Sequence, residues 1–451
     1  MYEERSLTRD VQRSLHLVIV AVTFGMVFLT ITGGFPLTGF ARSLGAGDFI
    51  YGVLMGLPVV GGVLQVFVSY LLETTRKRKK IFLMGGIIQR AMWVPIALIP
   101  YFLPMSAPLL RIWGVILLIT VSSMSGAFVN VTFYSWMGDL IPGNIRGRYF
   151  SRRSMISTIA SCLTGIGVGW FLDTVKGFSG YAIIFSIAAL FGLLDILSFI
   201  WVTDPVMMAD EKKPAFFHMF KSVFKDRNYR ALVIFAAAWG FSVNISGPFY
   251  TVYMMEYLKM SFLQISLYGQ VVSNIVTIIV VSRWGNLIDR FGNKPVLRLC
   301  ALIVASLPFL WVFATPGHYG IVPVINLLAG ALWCGVELSN QNLLLGLAPD
   351  KNRSMYIAIF FMVTTLIGNA LAFVCGGFFL EQIKPIADAW NLTLLGYPIN
   401  SYHFLFILSG SLRYLSIFLF IPYIVEKDST GIRHMIKNVK EDLRIKASKR
   451  R

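Results

Sequence analysis

Charged residues are scarce in this chain. Asp, Glu, Lys and Arg together make up 14% of its 451 residues, whereas a water-soluble domain carries about a quarter. Hydrophobic residues make up 56%, and the mean hydropathy is +0.69. This shortage of charge excludes a soluble globular protein and predicts a polytopic membrane protein.

Cysteine and histidine are also few, with four and five copies. The cysteines form no C-x-x-C pair, the histidines are scattered, and the sequence has no G-x-x-x-x-G-K-S/T loop. Disulfide frameworks, metal centres and nucleotide-binding loops need those spacings. We therefore expect no cofactor, no metal, no enzymatic activity and no nucleotide-driven transport. Buried free thiols are expected at Cys162, Cys300, Cys334 and Cys375.

Long apolar runs are abundant instead. A helix needs about 20 apolar residues to cross a bilayer, and twelve such runs occur. An even number of spans places both termini on one side of the membrane. The predicted spans, numbered 1 to 12, are 14–37, 49–72, 81–103, 109–138, 150–173, 181–203, 230–258, 264–285, 295–314, 320–347, 355–380 and 402–424.

The net charge of +18 is carried by short loops between these runs. No separate basic domain exists, so we expect no nucleic-acid partner. Loops that join an odd-numbered span to the next even one hold few cations, and the positive-inside bias therefore places both termini in the cytoplasm. An integral, multi-pass protein of the plasma membrane, the bacterial inner membrane, is expected. The few cations are Arg42, Arg111, Lys176, Lys259 and Lys384.

The chain divides into two halves at a cytoplasmic linker. We predict a six-helix bundle over 1–203, a linker over 204–229, a second bundle over 230–424 and a basic tail over 425–451. In the linker and the tail, apolar side chains recur at helical spacing among lysines and arginines. Both segments are predicted to lie in the membrane interface against anionic headgroups. A solvated, frayed end is the alternative for the tail.

The second half repeats part of the first at a period of 207 residues. Such a repeat in an apolar chain predicts two similar helical bundles with a substrate site between them. The matched pairs are Pro142 and Pro349, Arg146 and Arg353, and Tyr149 and Tyr356.

The loop between spans 8 and 9 carries the pattern G-x-L-x-D-R-x-G-x-K from Gly285 to Lys294. It resembles the signature loop of the major facilitator superfamily, and with twelve spans the resemblance covers essentially the whole chain. It implies two six-helix bundles related by pseudo-two-fold symmetry. We expect Gly285 to allow close approach, Asp289 to supply an anion and Gly292 to permit the sharp reversal. The resemblance implies a breakable cytoplasmic latch, and a plain topogenic loop is the alternative.

The first-half copy of this loop departs from the pattern. Glu73 keeps the acid, but the glycines are missing and a basic run follows over 76–80, so that this loop is predicted chiefly to face lipid headgroups. No motif typical of sugar porters or of drug/proton antiporters is present. The residues predicted for the cytoplasmic gate are Glu73, Asp139, Arg146, Arg148, Gly285, Asp289, Arg290, Gly292 and Arg353.

In this superfamily spans 1, 4, 7 and 10 line the central cavity, and polar stripes at helical spacing occur on spans 4 and 10. Asn130 and Glu337 lie on these stripes and are themselves 207 residues apart. Each is about ten residues from the cytoplasmic end of its span, or roughly 15 Å. The repeat therefore predicts that both lie near the midplane. The stripes comprise Thr120, Ser123, Ala127, Asn130 and Tyr134, and Asn326, Gly330, Trp333, Glu337, Asn340 and Gln341.

Glu337 is the strongest candidate for function, because an ionisable group inside a span is costly. It can bind the substrate or titrate as a proton-coupling carboxylate, and Arg413 is its expected partner in either a functional or a structural pair. Arg90 and Asp195 are the first-half counterpart, for which a structural pair is favoured. Glycines on span 5, Gly165 and Gly169, are expected to pack against a neighbouring helix.

Aromatic and hydroxyl side chains on span 7 complete the predicted cavity, although each aromatic has helix packing as its alternative. Aromatic faces beside polar groups suit a sugar-like or aromatic metabolite. The predicted substrate-binding residues are Asn130, Tyr134, Trp239, Ser246, Tyr250, Trp333, Glu337, Asn340 and Gln341.

The sequence predicts secondary active transport of a small organic solute by alternating access, coupled to protons, in a monomer. Two other classes stay open. One is a drug or lipid exporter or flippase, which would need a cavity of amphiphile size. The other is a non-transporting relative, such as an assembly factor or sensor, for which the cavity would be closed by packing.

Overall fold

The computed structural model describes residues 9–205, 225–349, 353–390, 392–394, 396–426 and the single positions 431, 435 and 438. The interfacial helices predicted for the linker and the tail fall largely outside these residues. Within the described ranges, twelve helices are long and apolar enough to cross a membrane. The predicted all-α fold with twelve spans is confirmed.

The spans of the first half begin and end within a few residues of the apolar runs. Proline at the start of span 4 fits a first-turn position, where its missing N–H is not needed. The α-helices are Arg9–Thr32 and Gly34–Ser43 (span 1), Asp48–Val60 and Leu64–Thr75 (span 2), Arg78–Ala91 and Trp93–Phe102 (span 3), Pro108–Leu140 (span 4), Gly143–Thr174 (span 5) and Phe178–Ser198 (span 6).

The second half differs in carrying π-helical turns inside its spans, at Tyr253–Tyr257, Ser266–Val271 and Thr364–Leu371. Two short antiparallel strands, Thr393–Leu394 and Tyr397–Pro398, lie before span 12. The α-helices are Arg227–Asn244 and Phe249–Val252 (span 7), Phe262–Ile265 and Val272–Phe291 (span 8), Asn293–Leu310 (span 9), Ile321–Leu347 (span 10), Arg353–Val363 and Ala372–Trp390 (span 11) and Ser401–Phe420 (span 12).

Side-chain caps fix where several of these helices start. Asp226 accepts hydrogen bonds from the backbone N–H groups of Asn228 and Tyr229, both at 3.0 Å, at the start of span 7. Ser261 and Gln264 form a capping box at the start of span 8. Such caps satisfy donors that the first turn leaves without partners. They place the ends of the spans at polar residues, as a membrane boundary requires.

The chain forms two compact units whose boundaries differ from the two halves of the sequence. The first unit comprises Met1–Lys213 together with Pro248–Gln270 and Phe373–Glu381. The second comprises Pro214–Gly247, Val271–Ala372 and Gln382–Arg451. Spans 7, 8 and 11 therefore each contribute to both units. In each unit, we call the end at which span 1 begins or span 12 ends its terminal side.

Aromatic packing forms the core of the first unit near the terminal side. Trp136 is fully buried, and its ring centroid lies 5.8 Å from that of Phe82 and 5.6 Å from that of Phe199. Elsewhere small residues bring helices together: a Cβ added to Gly169 would lie 2.9 Å from the Leu263 Cα, and one on Gly165 would lie 2.8 Å from the Ser266 Oγ. The predicted packing role of these two glycines is confirmed.

Candidate functional site

The polar face of span 10 is open on its terminal-side half. Glu337 and Gln341 are exposed, and Trp333 and Asn340 are half-buried. Their spacing places them on one side of a continuous helix, Ile321–Leu347. Further along, Gly330 is a packing residue instead, because a Cβ there would lie 2.3 Å from the Ser273 carbonyl oxygen on span 8. The predicted stripe on span 10 therefore has two parts: an open face around Glu337 and a packed contact with span 8 at Gly330.

The expected pair between Glu337 and Arg413 is not formed. Within the described part of the chain the Glu337 carboxylate makes no hydrogen bond and no ion pair. Arg413 is buried, and its Nη1 donates to the Val304 carbonyl oxygen at 3.2 Å. The prediction of this pair is wrong for this structure, and the role of Glu337 stays a prediction.

Span 4 shows the same division as span 10. Asn130 is exposed and Tyr134 is 69% exposed. By contrast, the Ser123 hydroxyl donates to the Pro58 carbonyl oxygen on span 2 at 2.6 Å, and Ala127 is buried. Polar residues in a span thus serve either an open face or a neighbouring backbone, and their spacing alone does not distinguish the two.

Span 7 contributes less to an open face than predicted. Ser246 is fully buried, and its hydroxyl donates to the Ser409 hydroxyl on span 12 at 2.9 Å. Trp239 is also buried, with its ring 5.9 Å from that of Trp333. Tyr250 is half-buried. Ser246 is therefore a helix-packing residue here, since a buried hydroxyl in a helical bundle forms its hydrogen bond with a residue of the neighbouring helix.

Arg90 and Asp195 form the structural pair that was favoured. Arg90 Nη2 donates to Asp195 Oδ2 at 3.0 Å, and both residues are buried. The guanidinium carbon lies 4.1 Å from the centre of the Phe28 ring. Gly25 and Gly192 make room for the pair, because a Cβ at either would approach its atoms within 2.8 Å.

The signature loop of the second half ties span 9 to the end of span 12. Gly292 has a φ of 93°, a left-handed conformation that favours glycine. The Glu426 carboxylate accepts hydrogen bonds from the backbone N–H groups of Asn293 and Lys294, at 2.9 and 2.7 Å. The Lys294 ammonium donates to the Ile424 carbonyl oxygen at 2.5 Å. The predicted reversal at Gly292 is confirmed.

The first-half copy makes the corresponding tie with Arg78, which the sequence did not single out. Arg76 takes the place of Gly292, with a φ of 53°. Arg78 is fully buried and forms ion pairs at 2.5 Å with Asp139 and with Asp204 at the end of span 6. The basic run therefore does more than face headgroups. The available signal was spacing: Arg78 follows Glu73 by five residues, as Lys294 follows Asp289.

The remaining gate residues are mostly exposed. Asp289 is exposed and makes no hydrogen bond or ion pair within the described residues, and Arg148 and Arg290 are also exposed. Arg146 donates to the Gly138 carbonyl oxygen at 2.8 Å and closes the end of span 4. A Cβ at Gly285 would meet no heavy atom within 4 Å, so the expected close approach is absent in this structure. The side chains of Glu73 and Arg353 lie outside the described part.

On the side opposite the termini, the first unit holds an ionic cluster that sequence reasoning missed. Arg42 forms an ion pair with Asp48, and its Nε lies 3.1 Å from Glu256 Oε1. The Arg42 guanidinium lies 5.3 Å from the centre of the Tyr51 ring, whose hydroxyl is 2.8 Å from the Thr38 hydroxyl oxygen. The cluster joins the end of span 1 and the start of span 2 to the end of span 7.

A second contact on that side joins spans 5 and 8. The Asp173 carboxylate accepts hydrogen bonds from the backbone N–H groups of Phe262 and Leu263, at 2.8 and 2.9 Å. Deeper in the span, Gln270 donates to the Ser161 hydroxyl at 2.7 Å. A cavity of about 500 Å³ opens beside Asp173 and Lys176. None of the predicted substrate-binding residues lines it.

The chain belongs to the major facilitator superfamily. The sequence profile of this family matches residues 17–283 and 231–434, which together cover most of the chain. This chain shows three features of the family: twelve spans, the signature loop from Gly285 to Lys294, and a repeat between the two halves. The prediction of the family is confirmed.

Solved structures share the fold at low sequence identity. A variant of the nucleoside transporter NupG has a TM-score of 0.69 at 15% identity, covering 92% of this chain and 100% of that chain. The xylose transporter XylE from E. coli, in an inward open conformation, has a TM-score of 0.65 at 14% identity, covering 94% and 99%. An auto-inhibited peptide transporter of the POT family has a TM-score of 0.69 at 12% identity, covering 93% and 99%. A search of curated proteins found no significant match.

Proposed function

We propose that this protein is a secondary active transporter that moves a small organic solute across a membrane by alternating access. The observation that carries the proposal is Glu337, a carboxylate in the middle of span 10 that is exposed and makes no hydrogen bond or ion pair within the described residues. A charge in a span is costly unless it faces water or a ligand. Its neighbours Trp333, Asn340 and Gln341 supply an aromatic face and amide groups for a solute.

Proton coupling is the role we assign to Glu337. An exposed carboxylate with no fixed cation can exchange a proton with the cavity, whereas one locked to an arginine cannot do so without breaking the pair. The solute class follows the lining: polar amides beside aromatic rings suit a sugar-like or aromatic metabolite. The structural relatives named for nucleosides, xylose and peptides are consistent with such solutes.

Two sets of contacts serve as gates in this proposal. On the side opposite the termini, the Arg42, Asp48 and Glu256 cluster and the Asp173 cap on span 8 close the path. On the terminal side, which the charge bias places in the cytoplasm, Asp289 is exposed and available for the latch. Opening requires the Asp173 cap and the Arg42 cluster to break. Both are polar contacts that water can replace.

The test is transport by purified full-length protein in liposomes of bacterial inner-membrane composition. A panel of labelled nucleosides, pentoses, dipeptides and aromatic acids is offered with and without an inward proton gradient. We expect at least one solute to accumulate, and accumulation to require the gradient. Glu337→Gln should abolish gradient-driven accumulation while leaving solute exchange at equal concentrations intact.

Glu381→Gln is the matched control, because Glu381 is an exposed carboxylate near the end of span 11. It should behave as the wild type. Full accumulation by Glu337→Gln with an unchanged response to the gradient would reject the coupling role. Failure of the whole panel, in vesicles where the protein is folded and correctly inserted, would favour a non-transporting relative.

A further inference from the structure

Arg153 is a cation inside span 5 that none of the contacts above uses. It lies ten residues after the start of the helix Gly143–Thr174, or about 15 Å along it. It is the fourth residue of the predicted apolar run 150–173, so it lies close to the terminal-side end of span 5. Its side chain is half-buried. An arginine in this place needs a physical reason.

Two aromatic rings contact the Arg153 guanidinium but accept no hydrogen bonds from its N–H groups. The guanidinium carbon lies 4.8 Å from the centre of the Phe133 ring on span 4 and 5.8 Å from that of Phe150 one turn before it. Rings of this kind attract a cation to their faces. They offer no hydrogen-bond acceptor for its N–H groups. The rings therefore attract the cation and leave its N–H donors to another partner.

Within the described residues the guanidinium has no acceptor. Nε is buried without a hydrogen-bond partner. Other arginines of the first unit differ: Arg78, Arg90 and Arg111 each donate to a carboxylate or to backbone carbonyl oxygens. A buried donor left without an acceptor costs about 1–3 kcal/mol, and more for a charged group. The Arg90 Nε is also without a partner, but Arg153 is the one of these four arginines whose guanidinium makes no hydrogen bond within the described residues.

The charges around Arg153 do not balance. Tyr134, Tyr149 and Asp195 lie near enough to act on Arg153 electrostatically, but none of them forms a hydrogen bond or ion pair with it within the described residues. Asp195 is already bound to Arg90 at 3.0 Å, and Tyr149 donates its hydroxyl hydrogen to the Leu15 carbonyl oxygen. No described carboxylate therefore pairs with Arg153, and its charge is not neutralised by an ion pair within the described residues.

Arg153 adjoins the open face of span 4. Tyr134 is 69% exposed, and its ring centre lies 5.7 Å from that of Phe133, the ring that contacts the Arg153 guanidinium. Asn130 is exposed one turn further along the same helix face. Arg153, Tyr134 and Asn130 therefore supply a cation, a hydroxyl and an amide to one region of the first unit.

We propose that Arg153 binds an anionic group of the transported solute, a carboxylate or a phosphate, with Tyr134 and Asn130 contacting the adjoining part of the molecule. This inference rests on the proposed transport function and narrows its substrates to organic anions. A guanidinium forms two parallel hydrogen bonds with either group, which gives direction as well as affinity.

Binding by the purified full-length protein in neutral detergent tests the site directly. The probes are benzoate, its neutral amide benzamide, and phenyl phosphate. We expect benzoate and phenyl phosphate to bind at least about tenfold more tightly than benzamide, the loss typical of one charge-assisted contact. Arg153→Gln should remove this preference, Arg153→Lys should keep part of it, and Arg152→Gln, which changes the exposed neighbour, should keep all of it.

The thermal midpoints of the variants separate binding from folding. Because Arg153 has no structural acceptor, Arg153→Gln should be as stable as the wild type or more so. A lower midpoint together with unchanged probe affinities would mark a structural arginine and overturn the proposal. Equal affinity for benzoate and benzamide in the wild type would overturn it as well.

A lipid phosphate is the other source of the same chemistry. Benzoate affinity is therefore measured in nanodiscs of phosphatidylcholine with and without phosphatidylglycerol. Equal affinity in both supports a solute site. Loss of benzoate binding in phosphatidylglycerol, restored by removing that lipid, would assign the site to a headgroup and overturn the solute proposal.

The liposome panel distinguishes this inference from the transport function itself. Transport of neutral solutes only, insensitive to Arg153→Gln, would leave the transporter proposal intact and overturn the anion site. Anion binding that depends on Arg153, with no solute accumulated, would leave the site intact and reject transport. Accumulation of an anionic solute that falls at least about tenfold in Arg153→Gln supports both.

Discussion

The two copies of the signature loop do the same mechanical task with different chemistry. In the second half, Lys294 and the backbone before it bind the end of span 12 through Glu426 and the Ile424 carbonyl oxygen. In the first half, Arg78 binds the end of span 6 through Asp204 and adds Asp139 on span 4. Each loop thus connects the start of the third span of its half to the end of the sixth span of the same half.

The difference lies in how the acidic residues are used. The first half buries its cation and surrounds it with two carboxylates, which are 46% and 30% exposed. The second half leaves Asp289 exposed. The same contrast recurs deeper in the spans, where Asp195 is paired and Glu337 is not. Asp139, Asp204 and Asp195 of the first half are thus paired within their own unit, whereas Asp289 and Glu337 of the second half have no partner within the described residues.

The largest expected effect comes from removing Arg78. Arg78→Gln leaves two carboxylates near each other without their cation, and we expect a loss of about 4 kcal/mol in the free energy of unfolding, as for a broken buried pair. Lys294→Gln should cost only about 1.5 kcal/mol, because the half-buried ammonium donates to carbonyl oxygens. Thermal and denaturant unfolding of the purified variants in one detergent measures both.

Lys80→Gln is the control for this prediction, since Lys80 is an exposed cation in the same loop. It should unfold like the wild type. Arg78→Gln combined with Asp204→Asn should recover part of the loss, because the second change removes an unpaired charge. Equal costs for Arg78→Gln and Lys294→Gln would contradict the comparison between the two loops.

The buried pair inside the first half gives the next largest effect. Arg90→Met leaves the Asp195 carboxylate buried without its partner, and we expect a loss of about 3 kcal/mol in the free energy of unfolding. Arg90→Met combined with Asp195→Leu should lie within about 1 kcal/mol of the wild type, as for other buried pairs replaced by apolar residues. If the double variant is stable but inactive in the liposome assay, the pair has a role beyond structure.

Much of this arrangement could be predicted from the sequence, because run length, helical spacing and short motifs are properties of contiguous segments. Run length predicted the twelve spans, polar spacing predicted the exposed positions Asn130 and Glu337, and the signature loop predicted the reversal at Gly292. They did not reveal the Arg78 to Asp204 pair, which joins residues 126 positions apart. Helical spacing also placed Gly330 and Ser246 on a polar face without indicating that a neighbouring helix covers them.

Arg153 shows a different limit. It follows a run of arginines at the start of span 5, and the positive-inside rule accounts for such a run as a topology signal. The register of span 5 against Phe133 is what separates Arg153 from its neighbours. That register depends on how two helices pack, which the sequence of either helix alone does not specify.

A smaller effect on stability is expected at Glu337. Glu337→Gln should change the free energy of unfolding by no more than about 0.5 kcal/mol, because the exposed carboxylate has no described partner to lose. Asp195→Asn, the same kind of change in the first half, should cost about 3 kcal/mol by weakening the pair with Arg90. Similar costs for the two would mean that Glu337 is held structurally, and the division of labour between the halves would fail.

No loss of stability is expected at Gly285, and this position tests the latch most selectively. A Cβ there meets no heavy atom within 4 Å in this structure, and alanine is favoured over glycine in a helix interior by about 1 kcal/mol. Gly285→Ala should therefore unfold at the same temperature or slightly higher. If the latch closes on Gly285 during transport, the added methyl obstructs a state that this structure does not contain, and the rate of uptake falls while stability does not.

Gly377→Ala is the contrasting variant, because its Cβ would lie 2.4 Å from the Asp48 carbonyl oxygen and should destabilise the fold itself. Unchanged uptake by Gly285→Ala would remove the glycine from the gate and leave Asp289 to form the latch with the basic residues alone.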